Sequence, residues 1–135
     1  MKVRPAFLNM NNPKSILTRF LSAALVAWFG FNAKAELSEA EAREYLKRGA
    51  LVVDVRTADE FKTKSLTNVI NIPQDEVKMK FSTVVTNKSE IVLLHCRSGR
   101  RSDIAVGQLR TLGYTNVFNI GSFAKAEKIL ARATK

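Results

Sequence analysis

Apolar and polar positions change rhythm several times after residue 36, and each change marks the edge of an element. Ser38 and Glu41 stand at the spacing of a capping box and predict a helix running to about Arg48 and ending at Gly49. Leu51-Val52-Val53-Asp54-Val55 is a continuous apolar run, the pattern of a strand covered on both faces. Ala58 to Lys62 suits a short helix, and Val69-Ile70-Asn71-Ile72 a second strand stopped by Pro73. Asp75 to about Val85 is compatible with a helix whose acids sit in the first turn, where the dipole favours them. Ile91-Val92-Leu93-Leu94-His95 is the most apolar strand and is expected at the centre. Ser102 to Leu112 puts Ala105, Leu109 and Leu112 on one helical face, closed by Gly113. Asn116 to Asn119 reads as a last strand and Phe123 to about Ala133 as a last helix. This alternation, free of repeats and linkers, predicts an α/β domain: a small parallel sheet of four to five strands with helices on both faces.

The first 35 residues follow another pattern. A basic stretch from Met1 to Arg19 precedes an apolar run from Phe20 to Phe31, broken only by Ser22 and Gly30. Ala33-Lys34-Ala35 then places small residues where a cleavage site needs them. As a helix the run covers about 18 Å, short of the ~30 Å hydrocarbon core. Residues 1–35 are therefore expected to be an export signal peptide, removed before Glu36, leaving residues 36–135 as the domain without stable membrane insertion. No twin-arginine pair precedes the run, so the general secretory route and a periplasmic destination follow, or secretion where there is no outer membrane.

Charge changes less than it first suggests. Of the formal +10, five Lys/Arg and no acid lie in residues 1–35, which leaves the domain at +5. Without basic residues interleaved with aromatics, that excess does not make a nucleic-acid surface. Cys96 is the single cysteine and His95 the single histidine, so one chain has no Cys/His ligand set for zinc, and no cofactor or metal is expected. A lone cysteine in an exported domain, where cysteines ordinarily pair, is a spectator, an intermolecular partner or a thiol in chemical use.

Its setting favours use. Cys96 closes the central strand, and strand ends are where ligands bind in open α/β sheets. Cys96-Arg97-Ser98-Gly99-Arg100-Arg101-Ser102 has the composition of an anion cradle. Gly99 allows the backbone angles that turn successive amides inward, Ser102 is placed to cap the next helix, and three arginines add permanent charge. Together these favour thiolate over thiol at Cys96.

The same loop resembles the active-site loop of single-domain rhodaneses, Cys-x-x-Gly-x-Arg followed by Ser. Val53-Asp54-Val55-Arg56 with Glu60-Phe61, Val69-Ile70-Asn71-Ile72-Pro73 and Leu112-Gly113-Tyr114-Thr115-Asn116-Val117 are similar to further landmarks of that family, across roughly residues 37–124. With the export segment, the resemblance is nearest to the small periplasmic type. It implies a thiosulfate sulfurtransferase with the catalytic nucleophile at Cys96, carrying sulfur as a persulfide from a small anionic donor to cyanide or a thiol. It further implies that Arg97, Ser98, Gly99, Arg100 and Arg101 bind substrate: the loop amides hold the persulfide, and the arginines attract the donor, Arg100 and Arg101 foremost. A monomer is expected. Arg56 and Glu60, four apart, are expected to form an ion pair, His95 to be structural, and Asp54 is a candidate acceptor of loop amides.

Two departures touch the rim of the site. Asn68 stands where the family has a left-handed glycine, and Gly121-Ser122 where it has Gly-Gly. The competing phosphatase and arsenate-reductase loop is Cys-x5-Arg, sized for a tetrahedral oxyanion; here the sixth residue after Cys96 is Ser102, so the loop is of the shorter, sulfur-handling kind. A second reading is a relay module whose Cys96 receives sulfur only from a protein partner.

Overall fold

The computed structural model describes residues 36–133, and the expected export segment lies outside the described residues. Helix α1 (Glu39–Lys47) starts as the sequence predicts: Ser38 Oγ accepts the Glu41 amide, and the Glu41 carboxylate returns to the Ser38 amide. Strand β1 (Leu51–Asp54) leads to helix α2 (Ala58–Thr63), which opens on a second capping box, Thr57 with Glu60. Strand β2 (Ile70–Asn71) is shorter than expected, although beyond it the Ile72 and Gln74 amides still donate to Asp54 O and Val55 O on either side of Pro73. The helix anticipated from Asp75 begins as a 3-10 turn (Gln74–Glu76) and becomes α3 (Val77–Val84). Strand β3 (Val92–His95), helix α4 (Arg100–Thr111), strand β4 (Val117–Gly121) and helix α5 (Phe123–Ala133) complete the order.

All neighbouring strands are parallel, in the order β2-β1-β3-β4, so the sheet has four strands and β3 is interior, with all four residues buried. Alternation of side chains across the sheet divides the core in two. Val53, Leu94, Cys96 and Val117 face α3 and α4, where Phe81 and Tyr114 meet edge to face at 4.9 Å. Val52, Leu93 and Ile120 face α1 and α5, packing on Ala42, Ala126 and Ile129. The buried Tyr114 hydroxyl donates to Val85 O (2.6 Å), so its ring enters the core without an unpaired polar end.

Two features of the sheet aim the site. The β3–β4 register runs Leu94 to Asn119 and then His95 to Gly121, a bulge that inserts one residue and brings Gly121 opposite the strand end. The Cys96 amide then donates to Gly121 O (3.2 Å). At the other edge Asn71 Nδ2 bridges Asp54 O and Arg56 O, tying β2 to the end of β1.

Asn68 has φ 59°, the left-handed backbone anticipated for it. Asn tolerates this region better than residues with a bulkier Cβ, and Gly tolerates it freely. Asn68→Gly should match or exceed wild-type stability in thermal melts, while Asn68→Ala should lose about 1 kcal/mol.

Candidate active site

The connection from β3 to α4 is short and reverses at Gly99, whose φ is 95°. The backbone angle favours glycine, and a Cβ there would also crowd Gly121 Cα at 3.2 Å. The reversal turns the Gly99 amide onto Cys96 Sγ (3.0 Å). Gly99, not Ser102, is the N-cap of α4, which therefore starts two residues earlier than its expected first residue. That corrects the expected capping role of Ser102. As the third residue of the helix it is fully buried, with its hydroxyl turned toward Asn119 Oδ1 (2.7 Å), Gly99 O (2.9 Å) and Cys96 Sγ (3.6 Å).

Cys96 is itself fully buried. Burial pushes its thiol up, and hydrogen bonds from the Ser102 amide and hydroxyl and from the Ser98 and Gly99 amides oppose that. The hydrogen bonds win and hold the thiol below its ordinary range. The donors are fixed before any reaction, as stabilisation of an anion requires.

The three arginines separate. Arg101 is brought to the cysteine and anchored: Nη1 and Nη2 meet Glu60 Oε2 and Oε1 at 2.6 and 2.9 Å. Glu60 pushes the Arg101 guanidinium further up, against burial, with a smaller pull from the Cys96 sulfur. Arg97 and Arg100 are exposed at the rim, as is the Ser98 side chain, while the backbone of Ser98 bridges to Ser122. Arg97 also lines an open groove of about 500 Å³ with Arg56, Glu60, Thr63, Lys64 and Phe123.

The Arg56–Glu60 ion pair expected from their spacing is not formed. Arg56 precedes the Thr57 cap and is not on the helix, so the four-residue spacing does not place the two on one face. Arg56 instead forks onto Asp54, with Nε and Nη2 at 2.9 and 2.6 Å from Oδ2, and donates to Lys64 O. Its guanidinium lies 4.4 Å from the centroid of the Phe123 ring. Asp54 accepts the Arg56 amide (2.9 Å), two residues along its own chain, rather than amides of the cysteine loop.

His95 is structural, as anticipated. It points to the opposite side of the sheet from Cys96, edge-on to Phe123, with Nε2 3.8 Å from Asp54 Oδ2. Burial, more than any charge, holds its imidazole toward the neutral form. It is therefore not placed to take a proton from the thiol.

A rhodanese-like domain matches residues 38–127. The chain belongs to the rhodanese-like domain family. The thiosulfate sulfurtransferase PspE of Escherichia coli K12 is 38% identical over 69 residues, which cover 51% of this chain and 66% of that protein. The chain thus spans just under two thirds of that relative's length. A solved structure of a rhodanese with anions from E. coli is 34% identical, with a TM-score of 0.54, covering 56% of this chain and 89% of that one. The human single-domain sulfurtransferase TSTD1 shares the fold at 24% identity and a TM-score of 0.59, covering 70% of this chain and 96% of that one.

Sequence reasoning missed three residues around the loop of this rhodanese-like domain. Glu60 pairs with Arg101 and not with Arg56, and the capping-box spacing from Thr57 is the local signal that places it. Asn119 lies in the last strand and Phe123 opens the last helix, and neither carries a local signal of its long-range contacts.

The anchor makes a pH test. Hydrogen bonds from Arg101, against partial burial, pull the Glu60 carboxyl from 4.5 to about 2. A lowered carboxyl pKa adds stability above the unfolded value, and that stability is lost as pH falls through the folded value. Wild type should therefore exceed Glu60→Gln in urea-unfolding stability at neutral pH, and the difference should shrink between pH 4.5 and about 2.

Proposed function

We propose that this domain is a thiosulfate sulfurtransferase that carries sulfane sulfur as a persulfide on Cys96. One observation carries the reading: the Cys96 sulfur rests under amide and hydroxyl donors with Arg101 beside it, and no side-chain base among the described residues is hydrogen-bonded to it. Such a site favours a sulfur anion and offers no proton relay, which suits a nucleophile whose attack and release leave charge on sulfur throughout.

In the first half-reaction the Cys96 thiolate attacks the outer sulfur of thiosulfate. The new sulfur–sulfur bond forms as the old one breaks, and sulfite leaves with the electron pair. In this reading the charge then lies on the outer persulfide sulfur, held by the amides of Arg97, Ser98, Gly99, Arg100 and Arg101. Arg97 and Arg100, exposed at the rim, draw the anionic donor in, while Arg101, half-neutralised by Glu60, holds its place beside the sulfur. In the second half-reaction a thiol or cyanide takes the outer sulfur and the thiolate returns. The full burial of Cys96 suits a small donor better than a bulky one.

Intact mass after incubation with thiosulfate should rise by one sulfur atom, and subsequent cyanide should remove it with release of thiocyanate. Cys96→Ser should do neither. A wild-type protein that gains no mass and releases no thiocyanate would refute the reading; mass gain without turnover would point to the relay module.

We also propose that residues 1–35 direct export and are removed. Expressed from the full sequence in a Gram-negative host, the protein should be recovered from the periplasmic fraction with Glu36 as its first residue. A chain beginning at Met1 in the membrane fraction would overturn this.

A further inference from the structure

Ser102 and Asn119 form a small device whose proton accounting is closed. The Asn119 side chain is fixed in orientation, because its Oδ1 faces the Gly121 amide (2.8 Å), which can only donate, and its Nδ2 donates to Gly99 O (3.0 Å). Gly99 O also accepts the Asp103 amide (3.0 Å), so its two lone pairs are taken. The Ser102 hydroxyl has one proton and lies near three acceptors, of which Gly99 O is already filled. Two remain: Asn119 Oδ1 at 2.7 Å and Cys96 Sγ at 3.6 Å. A rotation about the Cβ–Oγ bond exchanges one for the other without moving backbone.

We propose that Ser102 is a catalytic donor for sulfur discharge, its hydroxyl turning from Asn119 to Cys96 Sγ as the persulfide bond breaks, with Asn119 as the positioning residue. The inference rests on the persulfide reading above. In the persulfide, Sγ is a neutral, twice-bonded sulfur and a weak acceptor, so the hydroxyl stays on Asn119 Oδ1. When an acceptor such as cyanide attacks the outer sulfur, a carbon–sulfur bond forms, the sulfur–sulfur bond breaks, and its electron pair remains on Sγ. The hydroxyl then meets a full negative charge and turns to it. No proton is transferred, and no oxidant or reductant is consumed. The effect on the two half-reactions is opposite. Charge arrives on Sγ during discharge, which the hydroxyl speeds, and leaves Sγ during loading, which it does not help.

Rapid-mix mass measurement of each half-reaction tests this, with thiosulfate for loading and cyanide for discharge. In Ser102→Ala the discharge rate, relative to the loading rate per thiolate, should fall about tenfold, the size of a hydrogen bond to a charged group. The pH profile of loading should move upward, because the thiolate has lost a donor. Ser102→Thr, which keeps the hydroxyl, should restore both. Sulfur uptake by Ser102→Ala itself reports that the loop is folded. Equal slowing of both half-reactions, loss of uptake, or an unchanged ratio with an unchanged pH profile would overturn the proposal. A wild-type protein that takes up no sulfur would instead sink the persulfide reading, a separate result.

Discussion

The site depends on the reversal of the backbone at Gly99. There the chain, leaving a parallel strand, must turn its amides back over the last residue of that strand and enter a helix at once. The turn uses a left-handed angle closed to most side chains, and it lies so close to Gly121 that a Cβ would press on that residue's backbone. It is held from outside by Asn119, which clamps the Gly99 carbonyl and the Gly121 amide with one side chain. With that clamp in place the Gly99 amide aims at sulfur and Ser102 falls beneath it. The β4 bulge serves the same end, since it brings Gly121 opposite the end of β3, where its carbonyl takes the Cys96 amide.

Electrostatics are divided between the two sides of the sheet. On the cysteine's side the stabilising groups are dipoles, joined by the cation of Arg101, and Glu60 keeps that cation from wandering. On the other side a buried carboxylate, Asp54, is met by the forked guanidinium of Arg56, which in turn lies over Phe123. A buried pair of this kind costs much to desolvate and is weak evidence of net stability. Breaking it would strand a charge, so it holds the ends of β1 and α5 in fixed relation beneath the loop. His95 completes this cluster, its imidazole held toward the neutral form by burial, one residue from Cys96 and facing away from it.

The element pattern was legible because its causes are local. Apolar runs at Leu51–Val55 and Ile91–His95, the Ser38–Glu41 box and the stop at Pro73 act within a few residues, and each produced the element anticipated, give or take a residue or two. Spacing misled where it was read as contact. Arg56 and Glu60 stand four apart, yet the helix begins between them, and a residue outside a helix does not share its faces. Ser102 carried a capping residue's composition, but Gly99 could make the turn sooner and took the cap.

The sequence alone settled the order of strands and helices along the chain and the crowding of cradle-forming residues after Cys96, both legible over a few residues. Strand neighbours, the bulge facing Cys96, the 41-residue reach of Arg101 to Glu60 and the meeting of Asn119 with Gly99 and Ser102 came only with tertiary structure. These contacts join segments that carry no mark of one another. Packing two helical layers on one parallel sheet brings them together around Cys96.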